Sequence, residues 1–130
     1  MLPPFHPRHI PGLFVASTMT FGGAWGFVDT RACMLAFGLP ARIASATAAS
    51  HPVFLINNAR TTVIGLLTFL FYSRGQLDAV DSIMAVTGAY CGLVDSYVVW
   101  KEGSPGKAIF RLVSSGLISA WGFWGCTKGW

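Results

Sequence analysis

The stretch PVFLINNARTTVIGLLTFLFY, residues 52–72, runs directly into the polar turn SRGQ, residues 73–76. Its second half is almost continuously apolar, and a helix of about 20 residues crosses the roughly 30 Å of hydrocarbon in a bilayer. Another apolar stretch, residues 78–100, begins just after the turn. The short turn therefore predicts that the two stretches form an antiparallel pair of transmembrane helices.

The composition of the whole chain agrees with a lipid environment. Of its 130 residues, 53% are hydrophobic and 11% are charged, whereas a soluble domain has roughly 25% charged residues. A soluble chain of this length needs polar residues to cover a surface that is large relative to its core. We therefore expect the lipid bilayer to contact most of the surface, and we predict a multi-pass membrane location.

Two further apolar stretches complete the predicted fold. Residues 11–28 and 107–125 each approach the length of a span, so we predict an all-α chain, an integral membrane bundle of four transmembrane helices. The proline-rich residues 1–10 predict a disordered or extended tail, which leaves residues 11–130 as a single transmembrane domain. Aromatic residues gather where a span meets the interface. The predicted belt at the end of the last span consists of Trp121, Trp124 and Trp130.

The connection between the first two spans has signals of its own. A helix is expected to reach Phe37, where the sequence Gly38-Leu39-Pro40 would stop it. Residues 41–50 are small and weakly amphipathic, which predicts a short interfacial helix or a re-entrant turn between spans 1 and 2. We expect His51-Pro52 to end this segment and to open span 2.

Four spans would place both chain ends on the same side of the membrane. We name that end of the bundle side B, which also carries residues 73–77. The opposite end, with residues 29–51 and 101–106, is side A. The basic residues near the membrane divide almost evenly between the two sides, so the charge distribution does not decide the orientation.

Several functional classes find no support in the sequence. The formal net charge is +4, and the nine Lys and Arg residues are spread singly, without the basic stripe of a nucleic-acid-binding protein. The cysteines, Cys33, Cys91 and Cys126, are odd in number and far apart, which argues against a disulfide framework and a zinc site. Nucleotide-binding, metalloprotease and hydrolase motifs are absent. We expect no nucleic-acid partner, no metal and no cofactor.

Three charged residues interrupt the spans in the half near side A: Arg60, Asp95 and Arg111. At 1.5 Å per residue, their depths below side A differ by only about 6 Å. A charge inside a membrane usually faces the bundle interior and finds a partner. We therefore predict that the three residues meet in one polar cluster, with Asn57 on the same helix face as Arg60.

This cluster admits three interpretations. The first is a salt-bridge network that fixes helix register. The second is a ligand or catalytic pocket that is open to side A. In the third, there is no cluster and Arg111 extends to the membrane interface. In a pocket, Arg60, Arg111 and Asn57 would bind the ligand, and the arginines would hold an oxyanion because arginine stays charged. Asp95 would be the catalytic acid or base, as the only carboxylate in the interior of the spans.

The chain resembles the short four-span membrane proteins of fungi and bacteria that are grouped as domain of unknown function 4267. The matching elements are Phe37-Gly38-Leu39-Pro40 after span 1, the sequence from Arg60 to Leu66 with its Arg-x4-Gly-Leu pattern, and Asp95 late in span 3. The resemblance implies that Arg60 and Asp95 are special positions. It also implies a role in secondary metabolism, since some fungal members are encoded beside genes for polyketides or terpenoids.

Three functions remain open at this point. The first is a membrane-embedded isomerase or cyclase acting on an apolar small molecule, with the roles given above. The second is a non-catalytic membrane protein, either a ligand carrier or an accessory subunit of other membrane enzymes. The third is a minimal transporter that works as an oligomer, because four spans enclose little volume. Homo- or hetero-oligomers are compatible with all three, and whether the chain is an enzyme stays open.

Overall fold

A computed structural model describes residues 2–129. Met1 and Trp130 lie outside the described residues, so one member of the predicted tryptophan belt lies outside them as well. All regular secondary structure in residues 2–129 is helical, which confirms the all-α prediction. Pro7–His9 forms a 3-10 turn before the first α-helix. The α-helices are α1 (Ile10–Val28), α2 (Thr30–Phe37), α3 (Ala41–Ala44), α4 (Thr47–Ser73), α5 (Leu77–Val86), α6 (Gly92–Glu102) and α7 (Pro105–Phe123).

Helices α5 and α6 are two halves of one continuous helix, because a π-helical turn over Thr87–Cys91 joins them. A π-turn adds one residue to a helical turn and rotates the second half relative to the first. The turn is close to Asp95, which lies in the first turn of α6.

Local capping sets the boundaries of α2. The backbone of Asp29 leaves the helical region, with φ −142° and ψ 85°, and its carboxylate accepts a hydrogen bond from Ala32 N at 3.1 Å. An acidic residue at this position satisfies one of the free N–H groups of the new helix. Gly38 ends α2 at φ 115°, as the sequence predicts, because only glycine adopts this left-handed conformation without strain.

The predicted boundary at His51-Pro52 is wrong, because α4 begins at Thr47 and Pro52 lies inside it. A proline removes one backbone hydrogen bond from a helix. Side chains of the same turn meet carbonyls of the preceding segment: Ser50 Oγ donates to Ala46 O at 2.9 Å, and His51 Nε2 lies 2.6 Å from Ala44 O. The short helix predicted in this connection is present as α3.

The helices pack as two pairs that the turn after α4 joins. Helix α1 packs on α4, and α7 packs along both α5 and α6. Glycines allow each pair to approach closely: a Cβ on Gly65 would lie 2.9 Å from Ala16 O, and one on Gly88 would lie 2.7 Å from Ser115 O. Small residues are the usual means of close helix packing in lipid.

Each end of the bundle has its own apolar cluster. At side B the buried members are Val15, Tyr72, Val80 and Met84. At side A, α2 and α3 fold over the bundle, and the buried members are Cys33, Met34, Ala44 and Phe54.

Two helical segments are long and apolar enough to span a membrane: Ala49–Ser73 with mean hydropathy 1.4, and Leu77–Glu102 with 1.3. Only 22% and 28% of their most apolar windows are buried within the chain. Helices α1 and α7 have 19 residues each and both contain glycine and serine. Helix α1 also contains threonine, and α7 contains two cations. Neither of them is among the two segments named above.

Candidate functional site

Asp95 and Arg111 form an ion pair between α6 and α7. Nη1 of Arg111 lies 3.9 Å from Oδ2 of Asp95. The Asp95 side chain is 37% exposed and the Arg111 side chain 29% exposed, so the pair is accessible rather than sealed. The structure therefore brings together two of the three charged residues of the predicted cluster.

Arg111 is also attached to the C-terminal end of α2. Its Nε donates to the carbonyl of Phe37 at 2.8 Å, and its guanidinium lies 3.7 Å from the centre of the Phe37 ring. Lys107 Nζ donates to the carbonyl of Leu35 at 2.9 Å. The last carbonyls of a helix lack partners within the helix and carry partial negative charge, so they attract cations. These contacts orient the guanidinium of Arg111 and leave its Nη1 towards Asp95.

Arg60 and Asn57 lie elsewhere. Both are exposed on α4, and Nη1 of Arg60 is 3.4 Å from the carbonyl of Ile56 on its own helix. Arg60 is two residues, or about 200°, from the buried Asn58, and so points away from the inner face of α4. The prediction that these residues meet Asp95 within one chain is wrong. Their role in ligand binding stays a prediction.

Asn58 is the asparagine on the inner face of α4. It is 4% exposed, and its amide fills the space over Gly26, where a Cβ would collide with it. Its Nδ2 has no hydrogen-bond partner among the described residues. The signal for this face is a run of positions three or four apart that are buried or half-buried: Phe54, Asn58, Thr62, Gly65, Thr68 and Tyr72.

The other described carboxylates are bound differently. Glu102 pairs with Arg42 at 2.7 Å, Asp29 caps α2, and Asp78 Oδ1 accepts from the neighbouring Ala79 N at 3.0 Å. Asp95 thus has a single partner, at the limit of ion-pair distance, and its oxygens are available to a ligand. The described residues, 2–129, hold no group of three or more His, Cys, Asp or Glu side chains that could bind a metal ion.

A second polar cluster, at side B, ties the chain ends to the bundle. Asp81 is 4% exposed, and its two oxygens accept from Thr127 N at 3.0 Å and Lys128 N at 2.9 Å. Asp81 lies near the start of its own helix, but its carboxylate binds the C-terminal turn. The spacing of the sequence could not reveal this contact, because the two partners are 46 and 47 residues away.

His9 joins the N-terminal segment to the same end of the bundle. It is fully buried, with Nδ1 3.0 Å from the hydroxyl of Tyr72. Burial lowers the pKa of His9, and the charges of Arg8 and His6 lower it further, against a smaller opposite effect of Asp81. Of the predicted tail, residues 1–10, the described part from residue 2 to His6 has no regular structure, whereas Pro7–His9 folds against the bundle.

A comparison with family models gives a match that covers most of the chain. A family model described as "Domain of unknown function (DUF4267)" matches residues 16–125, which include α2 to α7 and most of α1. The matched region contains Asp95, Arg111 and Arg60. No curated protein and no solved structure matches the chain significantly.

Proposed function

The chain belongs to the family of the domain of unknown function DUF4267, whose description assigns no activity, and we propose that it is a four-span membrane isomerase for an apolar small molecule. The molecule would carry a carbonyl or similar group that can accept negative charge. Asp95 and Arg111 would act on this group from the half of the bundle near side A.

The surface of the helix pairs supports insertion with four spans. Less than a third of the most apolar window of Ala49–Ser73 and of Leu77–Glu102 is buried within the chain, unlike the core helices of a soluble protein. Helices α1 and α7 are 19 residues long, or about 28 Å, which is close to the hydrocarbon thickness. They pack along the two apolar segments and would cross with them.

The observation that carries the proposed activity is the accessible ion pair. Asp95 and Arg111 keep 37% and 29% of their side-chain surface exposed, at a separation of 3.9 Å. Of the described carboxylates, Asp95 is the one that lies inside a span and is not held by a backbone N–H or a close ion pair. A carboxylate beside a fixed cation is the minimum needed to move a proton next to a carbonyl.

The proposed reaction needs only these two side chains. The carboxylate of Asp95 removes a proton from the carbon next to the carbonyl, and Arg111 stabilises the resulting enolate oxygen. When the carbonyl compound also has a β,γ double bond, the enolate is a dienolate. The same carboxylate, now protonated, returns the proton at the γ carbon, so the double bond moves next to the carbonyl and the atoms balance. The chain consumes no cofactor in this cycle, and the proton on Asp95 exchanges with water because the side chain is accessible.

Deuterium incorporation tests the proposal even though the substrate is unidentified. The protein in lipid nanodiscs is incubated in D2O with a lipid-soluble extract of its host cells, and mass spectrometry follows the extract. We expect at least one compound to gain deuterium, and we expect Asp95→Asn to slow this gain at least about 100-fold, the usual contribution of a general base. Asp78→Asn, which removes an exposed carboxylate outside the site, is the matched control.

The alternative, a pair that only fixes helix register, makes a different prediction. In that case Asp95→Asn lowers stability, and no compound gains deuterium with the native protein. A folded Asp95→Asn protein that incorporates deuterium at the native rate also excludes the proposed role.

A further inference from the structure

Arg60 lies in the middle of a segment that is apolar enough to span a membrane. It is 11 residues from Ala49 and 13 from Ser73, the ends of that segment. Its side chain is exposed on the outside of the bundle. The two ion pairs found within residues 2–129 join other side chains. A cation at this depth is costly in lipid unless an acceptor reaches it.

The surface around Arg60 has the form of a helix-packing face. A shallow groove of about 570 Å³ runs along α4 and is lined by residues spaced three and four apart. Such spacing forms one stripe on a helix, and the alanine in it lets another helix approach closely. The lining residues are Ile56, Ala59, Arg60, Val63 and Ile64, of which Arg60 alone is charged.

Asp95, about 6 Å nearer to side A than Arg60, lacks a close cation among residues 2–129, just as Arg60 lacks a carboxylate there. It faces Arg111 at 3.9 Å, while Arg111 makes its shorter contact, 2.8 Å, with the carbonyl of Phe37. Asp95 is seven residues from Glu102, the side A end of its segment, or roughly 10 Å deep. Arg60 leans towards side A, to the carbonyl of Ile56, which is also seven residues from the end of its segment at Ala49.

We propose that the occupant of the α4 groove is a second copy of this chain, in a symmetric dimer. Arg60 of each copy would reach Asp95 of the other and complete an Arg60–Asp95–Arg111 cluster between the two chains. A twofold axis along the membrane normal preserves depth, so the matching levels of the two charges are what such a dimer requires. Lipid phosphates lie beyond the hydrocarbon and match the depth of Arg60 less well.

This inference rests on the membrane insertion in the proposed function and adds a residue to the same site. The second copy would supply a second cation near the carbonyl of the bound molecule. Because the cluster is shared, each dimer would contain two equivalent sites.

Dimer affinity in lipid tests the inference. Two fluorescently labelled pools of the chain are mixed in vesicles of neutral lipid, and energy transfer is followed over a range of lipid-to-protein ratios. We expect Arg60→Leu to raise the dissociation constant about tenfold, as for the loss of one polar contact between membrane helices. Asp95→Leu should have the same effect, and the double variant should be no weaker than either single one. Arg74→Leu, at the exposed turn of side B, is the control and should have no effect.

Crosslinking checks which residues meet. In a chain whose three cysteines are replaced by serine, Arg60→Cys and Asp95→Cys are introduced in separate pools. A bifunctional maleimide with a reach of about 10 Å should join the two pools to each other, since an Arg–Asp contact places the Cα atoms beyond disulfide distance. Neither pool alone should crosslink at the same rate.

Three results overturn the inference. The first is a chain that is monomeric at every lipid-to-protein ratio. The second is an Arg60→Leu variant that associates as strongly as Arg74→Leu. The third is association that depends on anionic lipid instead of Asp95, which would assign Arg60 to a headgroup phosphate. Alkaline extraction of the same membranes separates this failure from that of the proposed function. A chain that alkali removes from the membrane contradicts the four spans, whereas one that stays inserted but monomeric contradicts the dimer alone.

Discussion

The two ends of the bundle differ in how their carboxylates are bound and in how far they are buried. At side B, Asp81 is almost completely buried and both its oxygens accept backbone N–H groups. At side A, Asp95 keeps 37% of its side-chain surface exposed and faces one cation at 3.9 Å. Both oxygens of Asp81 therefore accept hydrogen bonds from the backbone, whereas the oxygens of Asp95 can still accept hydrogen bonds from a ligand.

This difference separates a structural role from a functional one. A buried carboxylate that binds backbone N–H groups holds two segments together, and its removal leaves those groups unsatisfied. A partly exposed carboxylate with one loose partner contributes little to stability and is open to a ligand. The comparison therefore predicts that changes at side B lower stability, and that changes at Asp95 affect activity first.

The largest effect on stability is expected for Asp81→Asn. The amide keeps the volume but offers only one acceptor, so one of the N–H groups of Thr127 and Lys128 faces another donor. The free energy of unfolding should fall by about 2 to 3 kcal/mol, measured by thermal or denaturant unfolding in detergent. Asp78→Asn, at an exposed position of the same helix, should change it by less than about 0.5 kcal/mol. Equal effects of the two variants would remove the distinction between the two ends.

A smaller effect is expected from acid at side B. The pKa of His9 in the folded chain is below its ordinary value, mainly because of burial and then because of Arg8 and His6. As the pH falls, the unfolded chain therefore binds a proton at a higher pH than the folded chain does. Stability should decrease as the pH falls below about 6.5, the ordinary pKa of histidine. His9→Phe should flatten this part of the pH profile, whereas His6→Phe, at an exposed position, should leave the decrease in place. A profile that His9→Phe does not alter would place the acid sensitivity elsewhere.

The smallest effect is expected at the surface of side A. Glu102→Gln breaks the ion pair with Arg42, whose side chain is 66% exposed. An exposed pair stabilises a protein by about 0.5 kcal/mol, so unfolding should shift by no more than this, and 1 M salt should abolish the difference. A loss comparable to that of Asp81→Asn would show that side A is held as firmly as side B.

The sequence predicts the helices better than their inner faces. The apolar runs, the turn after Ser73 and the stop at Gly38 depend on local chemistry, and the structure has all three. The boundary at Pro52 is wrong because α4 begins at Thr47 and continues through this proline, although the proline costs the helix one backbone hydrogen bond. Helix existence follows from length and hydropathy, whereas the start of α4 lies where Ser50 and His51 contact carbonyls of the preceding segment.

The sequence predicts the contact between Asp95 and Arg111 in the candidate site, but not the position of Arg60. Asp95 and Arg111 are on neighbouring helices at similar depth, and the pair follows from these facts. Arg60 is expected inside because it is charged, but the small and polar residues Asn58, Thr62 and Gly65 decide which face of α4 packs inwards. The cluster at Asp81 depends on where the C-terminal turn folds back, which local sequence does not encode.

Deuterium incorporation by a folded Asp95→Asn protein decides whether the carboxylate of Asp95 moves the proton. The variant is first shown to unfold within about 0.5 kcal/mol of the native protein, as expected for a loose and partly exposed pair. With the lipid-soluble extract in D2O, we expect the native protein to label a compound and the folded variant to label it at least about 100-fold more slowly. Labelling at the native rate by that variant would contradict the assignment of side A as the functional end.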